Sequence, residues 1–349
     1  MVLKLSNLLL HIGTGKTGST TLQTVLYTLF KKGDMDSIHY PVLNNKKHHN
    51  QLCTLVMPHE RIRRDIRTKF RADDEVYRAF VNHLKSNFIS EVNGHKNVLL
   101  SGEYFCGFSY EEVKEFKKII NQMGFNKVKV VVYFREVCSL YLSQIQQRIK
   151  GSSTFASPNS YKFNYRSIYE RWYSEFSDVE VREFSPDALV DGDIVSDFLD
   201  VTNKFFGTDI VRPIELNKSN ESLSTAAMLV IKKYRERFYP EDDNILFPDS
   251  NKLTSLLSQI SSDKGLVCKP KLKDSVKSLI RFNNKSDIEW LNEKFGIDFS
   301  FGSDLNKPVE NIKFENRVED VLKLSDQDSE IQNQLLLEVA NYFLNQNKR

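Results

Sequence analysis

A chain of 349 residues is long enough to bury the core of one large α/β domain, which admits an enzyme. Its 49 Lys and Arg face 46 Asp and Glu, a formal charge of +3 with the signs mixed along the chain, which excludes a globally basic nucleic-acid or membrane footprint and makes any anion site local. The four cysteines, Cys53, Cys106, Cys138 and Cys268, are far apart and show no CxxC or Cys/His zinc spacing, so they read as free thiols of a reducing compartment.

The opening MVLKLSNLLLHIG is apolar for only a few residues and has no small-residue cleavage site. No segment approaches the ~20 apolar residues that span a bilayer. The expectation is a cytoplasmic protein without a transmembrane segment and without nucleic acid as a partner. Leu8 to Ile12 read as a buried strand, ended by the Gly/Thr-rich stretch Gly13 to Thr21. Beyond it Leu22, Val25, Leu26, Leu29 and Phe30 recur at helical offsets, so the first unit is strand, loop, helix. Val98–Leu100 and Val128–Phe134 read as central strands, the second preceded by a helix over 111–123. A further strand is expected at 179–184 and a helix at 193–203.

After residue 216 the pattern becomes helical, with helices expected over 224–238, 252–261 and 274–282. Residues 303–320, rich in Asn, Asp and Lys, read as a polar linker before a terminal helix over 325–345, N-capped by Ser325 or Asp326. The alternation of strands and helices predicts a three-layer α/β fold with a central parallel sheet, a P-loop-like nucleotide-binding core and a mostly helical C-terminal part. The expected organisation is one α/β domain over 1–302, with its core at about 1–215 and a helical part at about 216–302, followed by linker and helix over 303–349.

The most informative segment is His11-Ile12-Gly13-Thr14-Gly15-Lys16-Thr17-Gly18-Ser19-Thr20-Thr21. Glycines let backbone N–H groups approach an anion, the following helix aims its positive end at the same place, and Lys16 adds a charge. His11 itself reads as a hydrogen-bonded core residue. Gly15-Lys16-Thr17 matches the end of a Walker A loop, but the glycine that motif needs five residues earlier is Leu10. A second anion site is suggested by Arg135, at the end of a strand, with Ser143 eight residues later on a helix; an arginine there can grip a phosphate bidentately.

Thr14-Gly15-Lys16-Thr17-Gly18-Ser19-Thr20 resembles the 5′-phosphosulfate loop of sulfotransferases, and Arg135 with Ser143 resembles their 3′-phosphate site. Tyr169, Trp172, Phe184, Asp191-Gly192-Asp193 and Phe198-Leu199 are similar to a recurring bacterial pattern of that family, so about the first 215 residues match in order. The family usually carries Pro or another residue where this chain has Gly15. The resemblance implies 3′-phosphoadenosine 5′-phosphosulfate as sulfuryl donor, held by Thr14, Gly15, Lys16, Thr17, Gly18, Ser19, Thr20, Arg135 and Ser143, with Lys16 stabilising the leaving phosphate and no metal. It implies an acceptor hydroxyl or amine, on a glycan by analogy with bacterial relatives; aromatic and basic residues between Arg148 and Tyr173 could line its cleft.

Transfer also needs a proton acceptor. Glu103 stands just past a predicted strand, where members of the family carry a glutamate facing the acceptor. His48 and His49, in a polar loop, are the competing choice, since imidazole titrates in the right range. Two other readings stay open: a P-loop kinase using ATP and magnesium, disfavoured by Leu10 and by Arg135 where a magnesium-binding Asp is expected, and a nucleotide-binding module without turnover.

Overall fold

The computed structural model describes residues 6–70, 73–213, 223–266 and 268–346. In chain order its first elements are β1 (Ser6–His11), α1 (Ser19–Lys32), β2 (Ile38–His39), α2 (Arg64–Arg67), α3 (Asp74–Val92), β3 (Asn97–Ser101), α4 (Tyr110–Gln122) and β4 (Phe125–Phe134). Then come α5 (Val137–Arg148), α6 (Tyr165–Tyr173), β5 (Val179–Glu183) and α7 (Ile194–Phe206). The remainder is helical: α8 (Thr225–Phe238), α9 (Pro248–Asp263), α10 (Asp274–Asn283), α11 (Lys285–Phe295), α12 (Val318–Val321) and α13 (Asp326–Gln346). The chain forms two compact units, Met1–Arg135 with Asn164–Asn217, and Glu136–Phe163 with Lys218–Arg349. The expected boundary near residue 215 lies outside the described residues.

The first unit is built on a five-stranded parallel sheet of order β2-β3-β1-β4-β5. Its central strands, SNLLLH, NVLLS and the KVVVYF end of β4, are nearly continuous apolar runs because both of their faces are covered. Side chains alternate between those faces. Leu9, Leu99, Val131 and Tyr133 pack with Leu22, Leu26 and Leu29 of α1 and Val195, Phe198 and Leu199 of α7. On the other face α4 lies against β4 and α6 against β5, with Phe108 stacked on the fully buried Trp172. Helix, sheet, helix is therefore the layer order that the sequence pattern predicts.

The helix starts are chemically marked. Asp73 caps α3, Ser109 and Glu112 form a reciprocal capping box on α4, and Asp193 caps α7. Helix α1 differs, opening at Gly18 with no side-chain cap and no acidic residue in its first turn.

The second unit is helical. α8, α9 and α13 pack together, and α10 packs on α5 and α11, around apolar residues such as Met228, Ile231, Leu257, Leu279 and Leu335. Ser325 is the N-cap of α13, its hydroxyl accepting from the Asp328 N–H while the Asp328 carboxylate accepts from the Ser325 N–H. The expected linker over 303–320 ends inside α12, whose Val318 and Val321 are buried. Among the described residues no helix is long and apolar enough to cross a membrane.

Candidate functional site

Strand β1 lies between β3 and β4, so the sheet order reverses direction there and the loops after β1, β3 and β4 diverge from a common point. Crevices at such switch points are where open α/β sheets bind ligands. The loop Ile12–Gly18 leaves β1 and is clamped on both sides. Tyr133 N donates to the Gly13 carbonyl at 2.8 Å, Thr14 N donates to the Tyr133 carbonyl at 3.1 Å, and Gly102 N donates to the His11 carbonyl at 2.9 Å.

The hydroxyls within the loop shape it from inside. Thr14 Oγ1 donates to the Tyr133 carbonyl at 3.1 Å, while Thr17 Oγ1 and Ser19 Oγ both donate to the Thr14 carbonyl, at 2.6 and 3.1 Å. Each hydroxyl has one hydrogen to give, so at Thr17 and Ser19 an incoming anion would meet backbone N–H groups, while Thr14 gives both its N–H and its hydroxyl to the Tyr133 carbonyl. Thr20 is exposed and Lys16 half-buried. Lys16 holds φ 70, a left-handed conformation that costs a side-chain-bearing residue roughly 1–2 kcal/mol. Gly18 holds φ 74, and a Cβ there would stand 3.1 Å from Ile194 Cγ2 and 3.3 Å from Phe184 Cε2, so only glycine lets the helix start here.

Glu103 meets this loop. A Cβ built on Gly15 would lie 3.6 Å from Glu103 Oε2, which puts the carboxylate beside Gly15. Burial raises the Glu103 pKa above the ordinary glutamate value, while the positive charges of Arg63 and Lys16 pull it down. Beneath Glu103, the Cys106 thiol donates to its carbonyl at 3.0 Å, and burial pushes that thiol up to about 11. Arg171 donates to the Cys106 carbonyl at 3.1 Å, its Nε is buried without a hydrogen-bond partner, and burial lowers its pKa.

Arg135 follows β4 directly, as predicted. Its Nη1 donates to the Lys16 carbonyl at 3.0 Å, its guanidinium lies 5.7 Å from the centre of the Phe184 ring, and its own carbonyl accepts from Tyr165 Oη at 2.6 Å. Ser143 is half-buried on α5, in the second unit. A cavity of about 490 Å³ in that unit is lined by Tyr141, Gln144, Ile145, Arg148, Thr154 and Phe155. A larger cavity of about 770 Å³ sits at the C-terminal end of α1, among Lys32, Asp34, Asp209 and Arg212, and contains none of the predicted site residues.

The two candidate histidines part company. His49 is 1% exposed; its Nδ1 accepts from the Ser101 N–H at 2.9 Å and its Nε2 lies 2.7 Å from the Pro41 carbonyl, so both ring nitrogens are committed. Burial lowers its pKa to about 4. His49 is thus a structural pin, which corrects the expectation that it could receive the acceptor's proton. His48 is half-buried, with Nδ1 accepting from the Asn50 N–H at 3.4 Å. The same loop reaches the Glu103 turn, where Asn50 Oδ1 accepts from the Tyr104 N–H at 3.4 Å. His11 is fully buried, hydrogen-bonded to Ser101 Oγ at 2.7 Å and edge-on to Tyr133 and Phe198, a core residue as expected.

The structure thus gathers Thr14 to Thr20, Glu103 and Arg135 around one loop and brings the His48 loop to its edge. Two cations there had not been singled out. Arg63 belongs to the conspicuous run Arg61-Ile62-Arg63-Arg64-Asp65-Ile66-Arg67, and Arg171 to the stretch whose aromatic and basic residues are expected as a group to line the acceptor cleft. Among the described residues no cluster of three or more His, Cys, Asp or Glu is placed to hold a metal ion. Compared with models of known protein families and with curated proteins, the chain matches none.

Proposed function

We propose that the chain is a sulfotransferase that moves a sulfuryl group from 3′-phosphoadenosine 5′-phosphosulfate to a hydroxyl or amine of an acceptor, on a glycan. The observation that carries this reading is the juxtaposition of a carboxylate, Glu103, with a glycine loop and its Lys16 at the uncapped start of α1. An anion-receiving helix start, a cation and a proton acceptor meet at one loop. The four free cysteines fit a reducing, cytoplasmic setting.

The donor supplies an activated sulfuryl group on a phosphate leaving group. The chain's residues do the rest. The N–H groups from Lys16 to Thr20 and the dipole of α1 hold the 5′-phosphate. Lys16 and these donors offset the charge that grows on the phosphate oxygen as the S–O bond breaks. Glu103 takes the proton of the acceptor hydroxyl as its oxygen bonds to sulfur, which keeps proton and charge in balance. The partly desolvated carboxyl suits this role, because a raised pKa makes it a stronger base. Arg135 is assigned to the 3′-phosphate and shapes the loop as well.

Calorimetric titration tests the reading. 3′-Phosphoadenosine 5′-phosphate should bind more tightly than adenosine 5′-phosphate, and magnesium should not be needed. Preference for ATP with magnesium would favour a kinase and remove this proposal.

A further inference from the structure

We infer that the acceptor is an anionic polysaccharide, held by a basic rim beside Glu103; this rests on the sulfotransferase reading and names the acceptor class. Between Asn44 and Phe70 the sequence carries seven basic side chains and two acidic ones, a local +5 in a chain whose total is +3. The mixed charge of the whole hides this concentration. Arg63, Arg64 and Arg67 are exposed, as are Lys46 and Lys47.

The segment is fastened to the turn that carries Glu103. His49 N donates to the Ser101 carbonyl at 2.8 Å, the guanidinium of Arg63 lies 4.4 Å from the centre of the Tyr104 ring, and Tyr104 Oη donates to Asp65 at 2.8 Å. Arg63 is also the largest charge acting on the Glu103 carboxyl. Arg61 is held by Glu112 at 2.6 Å and by the Gly107 carbonyl at 3.1 Å, while Arg63 Nε lies 3.8 Å from Asp65 and Arg67 Nη1 donates to the Glu60 carbonyl at 3.2 Å, contacts at the exposed surface. The rim therefore borders the proton acceptor.

Exposed guanidinium groups bind carboxylate and sulfate oxygens well and gain little from neutral hydroxyls. Single-stranded nucleic acid would need aromatic faces interleaved with the basic residues. Between residues 44 and 70 the only Phe, Trp or Tyr is the buried Phe70, and the ring of Tyr104 is covered by Arg63. A sugar chain with a uronate or sulfate on successive residues places anions on the rim and a hydroxyl at Glu103.

The full-length chain is tested with alginate, a polyuronate, and with dextran of equal length as the neutral control, at about 50 and about 300 mM salt. Alginate should bind, more weakly at the higher salt, and dextran should not. The double variant Arg64→Glu/Arg67→Glu should lose about tenfold in alginate affinity while its thermal melt stays unchanged. An unchanged affinity in the variant, equal binding of dextran, or tighter binding of single-stranded RNA or polyglutamate would overturn the inference. Titration of 3′-phosphoadenosine 5′-phosphate in parallel judges the underlying reading separately. A chain that binds alginate through the rim but not this nucleotide keeps the rim and loses the sulfotransferase; the converse loses only the rim.

Discussion

Arg135 Nη1 donates a hydrogen bond to the backbone carbonyl of Lys16 at 3.0 Å, joining the end of β4 to the loop after β1. This contact lies where the Lys16 backbone is left-handed, so a residue far along the chain helps to hold a conformation that the lysine alone would avoid. The loop is consequently a product of the sheet as much as of its own glycines.

Arg135→Ala should therefore weaken two nucleotides by different amounts. Loss of the loop contact lowers affinity for adenosine 5′-phosphate and 3′-phosphoadenosine 5′-phosphate alike, and loss of a charged contact to the 3′-phosphate adds about 1.5–3 kcal/mol for the second alone. Calorimetry giving equal losses would confine Arg135 to shaping the loop.

Two glycines three residues apart should respond in opposite ways. Gly18→Ala forces a Cβ at φ 74 into Ile194 and should cost on the order of 1–3 kcal/mol of stability and abolish nucleotide binding. Gly15→Ala meets only an ordinary contact with Glu103 Oε2, so its melting temperature should stay near wild type. A melt in which Gly15→Ala is the worse of the two would mean the loop has another shape.

The buried histidines fix the acid response of the fold. His11 and His49 have pKa values lowered to about 3 and about 4 from 6.5, so the unfolded chain binds protons that the folded chain refuses. Stability they contribute is present above pH 6.5 and lost as pH falls toward 4, at up to about 1.4 kcal/mol per pH unit for each histidine. His49→Gln should cost roughly 1–3 kcal/mol at neutral pH, flatten the loss between pH 6.5 and 4, and leave turnover per folded molecule largely intact. A dead but fully stable variant would restore His49 as a catalytic group.

Much of this was legible in the sequence because the central strands are unbroken apolar runs. β3, β4 and β5 fall within a few residues of their predicted ranges, and α1, α7, α8, α10 and α13 follow their 3.6-residue periodicity. Strand β2 has only two residues, too few to show a pattern. Helix α3 escaped although Tyr77, Leu84, Phe88 and Val92 mark its inner face, because charged and polar residues fill the spaces between them. The assignment of Glu136–Phe163 to the second unit depends on contacts with residues more than a hundred positions away, which no local pattern encodes. At the candidate site, residue types pointed to the loop, Glu103 and Arg135, but imidazole chemistry could not tell the half-buried histidine from the pinned one, since the contacts with Ser101 and Pro41 set His49 apart from His48.

Glu103 should trade stability for activity. Its folded pKa is raised above 4.5, so the ionised side chain costs stability as pH rises through the folded value. Glu103→Gln should thus melt higher than wild type at neutral pH, with the difference closing below pH 4.5, while losing about two to four orders of magnitude in turnover. Arg63→Ala removes a charge that holds the pKa down, so the acid limb of the pH–rate profile should move to higher pH. An active Glu103→Gln with an inactive His48→Asn would hand the proton to the histidine.

The most direct measurement follows label from donor to acceptor. Purified chain is incubated with sulfur-labelled 3′-phosphoadenosine 5′-phosphosulfate, or with γ-labelled ATP and magnesium, over a panel of polysaccharides, lipids and phenols. The account predicts label in product from the sulfate donor alone, and a loss of about a hundredfold or more in Lys16→Ala with the fold preserved. Label from ATP, or none from either donor by a chain that still binds 3′-phosphoadenosine 5′-phosphate, would contradict it.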